Sequence, residues 1–498
     1  MIRPSQILKR SSKLSIANIG GVLLSVPAGF YATARLGPEA YASVSFVLLG
    51  LSYASLVRPG TLEGGMRQMV DRLGKGDETG AGEEQNSSFT AELLWAAFPA
   101  MGLLAASFLF PDPIRRFGLA FVPLTYVGST LSRILMSGFY AHQRFEAATR
   151  IVVVRSVAAP LLLCVLVSRF GAYGYFAASA AVEWGVVALF AMTRPALGIR
   201  WRLVARDVRR LTLIGLPLSL QGLVYWAYRL AGQTSVAAWL PLPALAYYGF
   251  SASVVNLAMR GFGDFSGVLT PVLWREMART KDPWAHSAMT ADIGLGMALV
   301  ACAVANLAQA GFGPMVRLIL PKYLPAIPVF EVLAFNVVLL TLAMVPSLVL
   351  DSSAVNRQWG HLRIWAVALV INYILNFAAA KLDGGIIAIA WNDVLVQTGV
   401  VIAIYSTAQQ YLFERSEDAW RLYRRIAVPV MVAALVFALL RHATVDVPDE
   451  TGALILYGFA RVTMVLLVWA AVGRAVYGRF QRRIHQIVEA ESVPVPAT

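Results

Sequence analysis

The sequence predicts an all-α polytopic membrane protein of about fourteen transmembrane helices, arranged as two parallel six-helix lobes and a C-terminal helix pair. Three observations lead there: the composition, the length of the apolar runs, and an internal repeat. Of 498 residues, 58% are hydrophobic and 14% charged, and the mean hydropathy is +0.64. Soluble domains average about 25% charged residues, so this chain is built for lipid. Its apolar runs are each about 20 residues long, the length one helix needs to cross the hydrocarbon core. Motifs of the first half return, in order, in the second.

In the first lobe, 1–194, apolar runs lie near 14–34, 39–58, 89–110, 117–139, 149–168 and 171–193. A basic cytoplasmic linker, 195–210, follows, and anionic headgroups are expected to hold it at the surface. The second lobe, 211–410, has runs near 211–236, 242–264, 287–311, 325–350, 360–380 and 385–407. The terminal pair and cytoplasmic tail, 411–498, contribute 424–441 and 452–473. No gap could hold a soluble catalytic domain. The longest, 59–88, divides into an amphipathic stretch from Leu62 to Leu73, expected as a short helix on the inner surface, and a Gly, Glu and Ser-rich tract from Gly74 to Ser88, expected as a mobile loop. Leu273 to Lys281 repeats the amphipathic stretch after the eighth span.

The repeat has an offset of about 205 to 214 positions. Pro38-Glu39-Ala40-Tyr41 returns as Pro243-Ala244-Leu245-Ala246-Tyr247, and Met66-Arg67-Gln68-Met69 as Trp274-Arg275-Glu276-Met277. His142-Gln143-Arg144-Phe145 returns as Asn356-Arg357-Gln358-Trp359, and Gly174-Tyr175-Phe176-Ala177 as Gly385-Ile386-Ile387-Ala388. Six spans are an even number, so both repeats enter the membrane from the same side. They are parallel repeats related by an axis along the membrane normal. Two such bundles leave a central cleft that rocking can open to one face at a time, which points to transport.

Charge fixes the orientation. Outside the spans, the Lys and Arg residues gather on one side, and the other holds only Arg35, Arg115, Arg116, Arg169, Arg317, Lys322, Lys381 and Arg441. By the positive-inside rule both termini are cytoplasmic. The net charge of +14 is thus an orientation signal. A nucleic-acid footprint needs a soluble basic face, and none exists. The basic start followed by a long apolar run reads as a first span rather than a cleaved signal. Cys164 and Cys302 fall inside spans as small hydrophobes, with neither a disulfide nor a metal site suggested.

Five arginines remain inside spans: Arg133, Arg155, Arg229, Arg260 and Arg461. Each costs about 2.5 to 3.5 kcal/mol at the bilayer centre on insertion scales, so each needs a reason. Arg229 follows Tyr225, Trp226 and Tyr228. A guanidinium there can clamp phosphate oxygens bidentately while the rings stack on sugar. Snorkelling, or a carboxylate on a neighbouring helix, is the bland alternative. Arg133 and Arg155 are further candidates for a cationic cavity, or structural partners for Glu183 or free carbonyls. Arg260 sits four residues before Asp264, which suits a local ion pair, and Arg461 suits an interhelical contact. Glu183, Glu331 and Asp393 are candidates to bind or relay a coupling cation, with a paired or neutral helix contact as the alternative. Asn18, Gln221, Asn336, Asn372 and Asn376 read as interhelical contacts.

Enzyme signatures are missing: no Gly-rich phosphate loop with Lys, no HExxH, no CxxC pair. The chain is therefore expected to be no enzyme, to carry no cofactor, and to draw on an ion gradient, membrane potential or substrate mass action.

The run Ile16-Ala17-Asn18-Ile19-Gly20 through Ala34-Arg35-Leu36-Gly37-Pro38-Glu39-Ala40-Tyr41, the Gln143-Arg144-Phe145 turn, and Gly171-Ala172-Tyr173-Gly174 together resemble bacterial polysaccharide flippases. These are the O-antigen and exopolysaccharide type within the multidrug/oligosaccharidyl-lipid/polysaccharide exporter superfamily, and the resemblance covers nearly the whole chain. It implies two six-helix lobes around a cationic cavity in the bacterial inner membrane. The implied substrate is an undecaprenyl-pyrophosphate-linked oligosaccharide moved from the inner to the outer leaflet. Membrane lipids, a polysaccharide polymerase and chain-length proteins are the implied partners, with no nucleic acid. Arg229 falls where such proteins often carry an arginine in the seventh helix, but the residue before it, commonly acidic, is Tyr228 here. Lipid II flippases of the same superfamily carry an arginine-rich first helix, whereas this first span is neutral until Arg35. Two alternatives remain: an ion-coupled multidrug antiporter of the same architecture, and a non-transporting scaffold of a polysaccharide assembly complex. A membrane glycosyltransferase would need a large outward loop, and the outward loops are short.

Overall fold

A computed structural model describes residues 4–74, 77–142, 144–192, 200–280, 287–352, 355–442 and 450–490. They form helices throughout, with no strand among the described residues. In chain order these are α1 (Pro4–Leu56), α2 (Thr61–Gly74), α3 (Glu78–Ser107), α4 (Pro113–Ala141), α5 (Phe145–Met192), α6 (Ala205–Trp239) and α7 (Leu242–Thr280). Then follow α8 (Ser287–Ile319), α9 (Ala326–Leu333), α10 (Phe335–Asp351), α11 (Gln358–Lys381), α12 (Gly385–Leu412), α13 (Ser416–His442) and α14 (Thr451–Ala490).

Among the described residues, eleven helices are long and apolar enough to cross a membrane. A twelfth, α6, is bent by 48° between Ala205–Pro217 and Ser219–Trp239, as expected where a proline breaks the backbone ladder. Two of the eleven fold back on themselves, which reconciles this number with the expected fourteen spans. A straight helix of the 48 residues of α5 would be about 72 Å long, more than twice the hydrocarbon thickness. It turns at Gly171, whose φ of 57° is a left-handed geometry that glycine tolerates. Past the turn the arms touch: a Cβ on Gly174 would overlap the Leu166 carbonyl, and Arg155 reaches Glu183. The helix α1 turns likewise at Gly37, φ 71°, and Phe30 and Tyr41 from its two arms both meet Phe250 of α7, at 5.2 and 6.3 Å between ring centroids.

The chain divides into two compact units. One comprises Met1–Val272 with Arg357–Val400, and the other Leu273–Asn356 with Val401–Thr498. The first has an apolar core of Val44, Val47, Leu103, Leu119, Tyr126 and Phe176, drawn from α1, α3, α4 and α5. In the second, Phe312 of α8 stacks on Phe330 of α9 at 3.9 Å, and Phe335 meets Phe437 edge-on at 4.9 Å. Its polar contacts are also satisfied across helices. Asn306 donates to Gln309 Oε1 and to the Ala433 carbonyl, and it accepts from Trp469 Nε1.

One expectation for 59–88 needs correcting. The amphipathic helix exists as α2, and it packs closely against α6 and α3. A Cβ on Gly64 would overlap the Leu211 carbonyl, one on Gly215 the Gly60 carbonyl, and one on Gly65 would crowd Ser88. The tract from Gly74 to Ser88 is largely helical rather than a mobile loop, since α3 begins at Glu78. Asp77 caps it, accepting from the Gly80 amide at 2.8 Å. Glu84, although charged, is buried because two arginines satisfy it: Arg72 Nη2 at 2.9 Å, and Arg210 Nη2 at 2.5 and 2.7 Å from its two oxygens. Composition announced the charge but not its partners.

Candidate functional site

Beyond the Pro217 bend, α6 presents Tyr225, Trp226, Tyr228 and Arg229 within little more than one turn. Residues four apart share a face, so Arg229 Nη1 donates to the Tyr225 hydroxyl at 3.2 Å. Its guanidinium lies 6.0 Å from the Tyr225 ring centroid and 5.7 Å from that of Trp226, within cation–π range. Its Nη2 donates to Asn256 Oδ1 on α7. Among the described residues both acceptors, Tyr225 and Asn256, are neutral. Behind this shelf, Trp365 of α11 meets Tyr225 edge-on at 4.9 Å and Tyr228 at 5.2 Å. Trp365 Nε1 donates to His361 Nε2 at 2.9 Å. The other ring nitrogen, Nδ1, lies 2.8 Å from Gln221 Nε2.

One turn further along α6 a second polar centre begins. Asp393 of α12 accepts from the Tyr248 hydroxyl of α7 and, at 2.8 Å, from Asn372 Nδ2 of α11. Its backbone carbonyl accepts from the Tyr228 hydroxyl at 3.2 Å. Gly232 makes room: a Cβ there would overlap both Tyr248 Oη and Asp393 Oδ2. Asn372 Oδ1 is buried with no hydrogen-bond partner among the described residues. An unpartnered oxygen beside a carboxylate, with hydroxyls converging, suits a proton or a hard monovalent cation. No group of three or more His, Cys, Asp and Glu side chains among the described residues could hold a metal ion.

The remaining candidates have separate partners, and Arg133, Arg155 and Arg229 share none of them. Arg133 Nη2 pairs with buried Glu92 Oε1 at 3.3 Å, and Glu92 also accepts from Thr61 Oγ1 at 2.9 Å. Arg155 is ion-paired with Glu183. It lies half-exposed beside the exposed side chains of Val153, Val154 and Val157. Glu183 is thereby committed to an arginine. Glu331 lies in the second unit, where Gln309 Nε2 donates to its backbone carbonyl at 2.8 Å. Arg461 is interhelical, donating to the Leu440 carbonyl at 3.1 Å and to Tyr457 at 3.2 Å. The side chains of Arg260 and Asp264 lie outside the described residues.

Sequence reasoning found Arg229, Tyr225, Trp226 and Asp393 singly. It missed Trp365, Asn256 and Tyr248, which are ordinary aromatic or amide residues on other helices. It also missed Glu92, which sits at the edge of an apolar run.

The sequence matches no family model and no curated protein. Its fold does have relatives. It resembles an inward-facing multidrug resistance MATE family transporter of the MOP superfamily at a TM-score of 0.63 and 14% identity, over 80% of this chain and 98% of that one. It resembles the lipid II flippase MurJ, in an inward closed conformation, at a TM-score of 0.63 and 11% identity, over 94% and 99%. A MOP superfamily transporter from Pyrococcus furiosus, noted for the reverse polarity of its binding pocket, matches at a TM-score of 0.59 and 16% identity, over 83% and 98%. The chain has the fold of the MOP superfamily transporters. At these identities the likeness extends to fold alone.

Proposed function

We propose that the chain is a cation-coupled flippase for an undecaprenyl-pyrophosphate-linked oligosaccharide. It would serve surface polysaccharide synthesis in the bacterial inner membrane, with both termini cytoplasmic. The observation that carries this reading is Arg229, a guanidinium whose acceptors among the described residues are neutral, set against Tyr225 and Trp226. A pyrophosphate offers the fork charged oxygens, and the neighbouring rings offer apolar faces to sugar.

Asp393 supplies the coupling. Its contacts join α12 to α6, α7 and α11, and Tyr228, which bonds it, is adjacent to Arg229. Loading a proton or cation there neutralises the carboxylate and alters the packing of the helix that carries the shelf. The repeats 1–194 and 211–410 would then alternate in access, as parallel repeats do, with 411–498 as an accessory pair. Polymerase and chain-length proteins would receive the product.

The multidrug antiporter is the second reading. The pairing of Arg133 with Glu92 and of Arg155 with Glu183 favours it, since these carboxylates remove positive charge from two of the three candidate positions. Reconstituted vesicles separate the two. The flippase reading expects a fluorescent polyprenyl-pyrophosphate glycan to change leaflets, with Arg229→Ala slowing it by at least about tenfold, the loss of one charge-assisted contact. Movement of a cationic dye with no movement of the glycolipid would establish the antiporter. An unimpaired Arg229→Ala variant in cells, with normal surface polysaccharide, would refute the role assigned to Arg229.

A further inference from the structure

The N-terminal end of α6, cytoplasmic in the orientation proposed above, has two faces. One is spent inward: Leu211 and Gly215 pack on α2, and Arg210 bonds Glu84. Asp207 is taken up by Arg202 at 3.8 Å and Arg210 at 3.6 Å. The opposite face carries Arg206, Arg209, Leu213 and Leu216, which helical periodicity puts in one stripe. All four are exposed, and neither Arg206 nor Arg209 has an acidic partner among the described residues. Leu213 is 61% exposed. Beside them lies a cavity of about 530 Å³ lined by Arg206, Asp207, Arg209, Arg210, Leu213 and Ile214.

The segment leading into α6 is fixed in place. The Arg200 amide donates to Asn86 Oδ1 at 2.7 Å, and the Arg202 amide to Thr90 Oγ1 at 3.0 Å. Trp201 packs edge-on against Phe89 at 5.8 Å, yet remains 69% exposed. This anchoring leaves an indole exposed a few residues before the two arginines, and tryptophans are enriched at membrane boundaries.

We infer that this stripe is a binding site for one anionic phospholipid of the cytoplasmic leaflet. Its phosphate sits between Arg206 and Arg209, and an acyl chain runs along Leu213 and Leu216. Charge complementarity selects the occupant: two unspent cations at the headgroup level, with exposed leucines about 6 to 10 Å deeper along the helix. A neutral lipid would leave both cations without a counter-charge. The inference is independent of the cargo and of Arg229.

Native mass spectrometry tests it, on full-length protein from nanodiscs of phosphatidylcholine with a minority of phosphatidylglycerol. The wild type should retain one phosphatidylglycerol. An Arg206→Gln/Arg209→Gln variant should retain it roughly thirty-fold less well, at about a factor of five for each cation near the surface. Thermal unfolding in pure phosphatidylcholine checks that the variant is folded. Should it not be, the single variants, each expected at about fivefold, carry the test. Equal retention by the variants, or equal retention of phosphatidylcholine by the wild type, would overturn the site. Displacement of phosphatidylglycerol by added polyprenyl pyrophosphate at these same arginines would also overturn it, by making this a cargo entry point.

Discussion

Asp393→Asn is the sharpest perturbation of the proposed coupling site, because it changes charge with almost no change of shape. In the native protein both carboxylate oxygens accept, one from Asn372 at 2.8 Å and the other from Tyr248. The amide keeps one acceptor and turns a donor toward a donor. Losing one charge-assisted hydrogen bond costs about 1.5–3 kcal/mol. Removing a desolvated charge returns part of that, so a net loss of about 1–2 kcal/mol is expected. For a chain of this size that is a shift of about two degrees in melting temperature. A single melting temperature therefore does not separate loss of the charge from local damage, and its dependence on the cation is the informative readout.

A cation bound only by the folded protein stabilises it by about 2.7 kcal/mol at one hundred times its dissociation constant. Wild-type protein should thus melt higher as the coupling ion is raised, or show the equivalent pH dependence if that ion is a proton. Asp393→Asn should lose this response and, in proteoliposomes, transport driven by the gradient. Gly232→Ala is the companion. Its methyl would collide with Tyr248 Oη and Asp393 Oδ2, an overpacking of about 1–3 kcal/mol that leaves the charge in place. Coupling should then survive at higher ion concentration. If Asp393→Asn remains stabilised by the same ion and driven by its gradient, the site is not at Asp393.

The other expectations rest on individual contacts. Glu183→Gln should lower stability by about 1–2 kcal/mol, a buried-pair cost discounted because Arg155 is half-exposed. An Arg155→Leu/Glu183→Leu double variant should instead lie within about 1 kcal/mol of wild type in thermal unfolding; a larger loss would give the pair more than a structural role. Gly215→Val puts bulk onto the Gly60 carbonyl and should separate α2 from α6, read as loss of a cysteine crosslink between them. Asp77 is held below the usual carboxylate range by the Gly80 amide first and then by Arg72. A depressed folded value contributes stability above the unfolded pKa and loses it as pH falls through the folded one. Protection of the Gly80 amide from exchange should accordingly persist above about pH 4 and fade below it. Unchanged protection in acid would mean the cap is not electrostatic.

The spans were legible because hydropathy is a property of contiguous sequence. Arg229 with Tyr225 and Trp226 was legible for a related reason: residues three and four apart share a helix face. Partners on other helices left no such trace. Asp393 stands out as a carboxylate in an apolar run, but Tyr248 lies 145 positions away and reads like any interfacial aromatic. Glu84 misled in the opposite direction. A Gly, Glu and Ser-rich tract looks mobile until Arg210, 126 positions away, supplies its counter-charge. The docking of α2 was hidden too, since Gly60, Gly64 and Gly215 act by what they lack, and only the facing backbone gives that meaning.

The intramembrane arginines separate by what they donate to, and this leads to a final prediction. Arg133 and Arg155 are bound to carboxylates, and Arg461 to a backbone carbonyl and Tyr457. Bonds to a carboxylate are charge-assisted, about twice as strong as neutral ones, and a substrate phosphate would gain little by displacing them. Arg229 donates to a tyrosine hydroxyl and the Asn256 amide oxygen, so its fork is satisfied at rest yet open to exchange for a charged oxygen. That difference of about 0.5–1.5 kcal/mol per bond favours the phosphate. Asn256→Asp should abolish the preference by giving Arg229 a permanent carboxylate. The variant should be as stable as wild type or slightly more so, while the affinity for a polyprenyl-pyrophosphate glycan falls by about tenfold or more, the like-charge and lost-bond terms acting together. Undiminished glycolipid binding by this variant would show that Arg229 does not hold the phosphate.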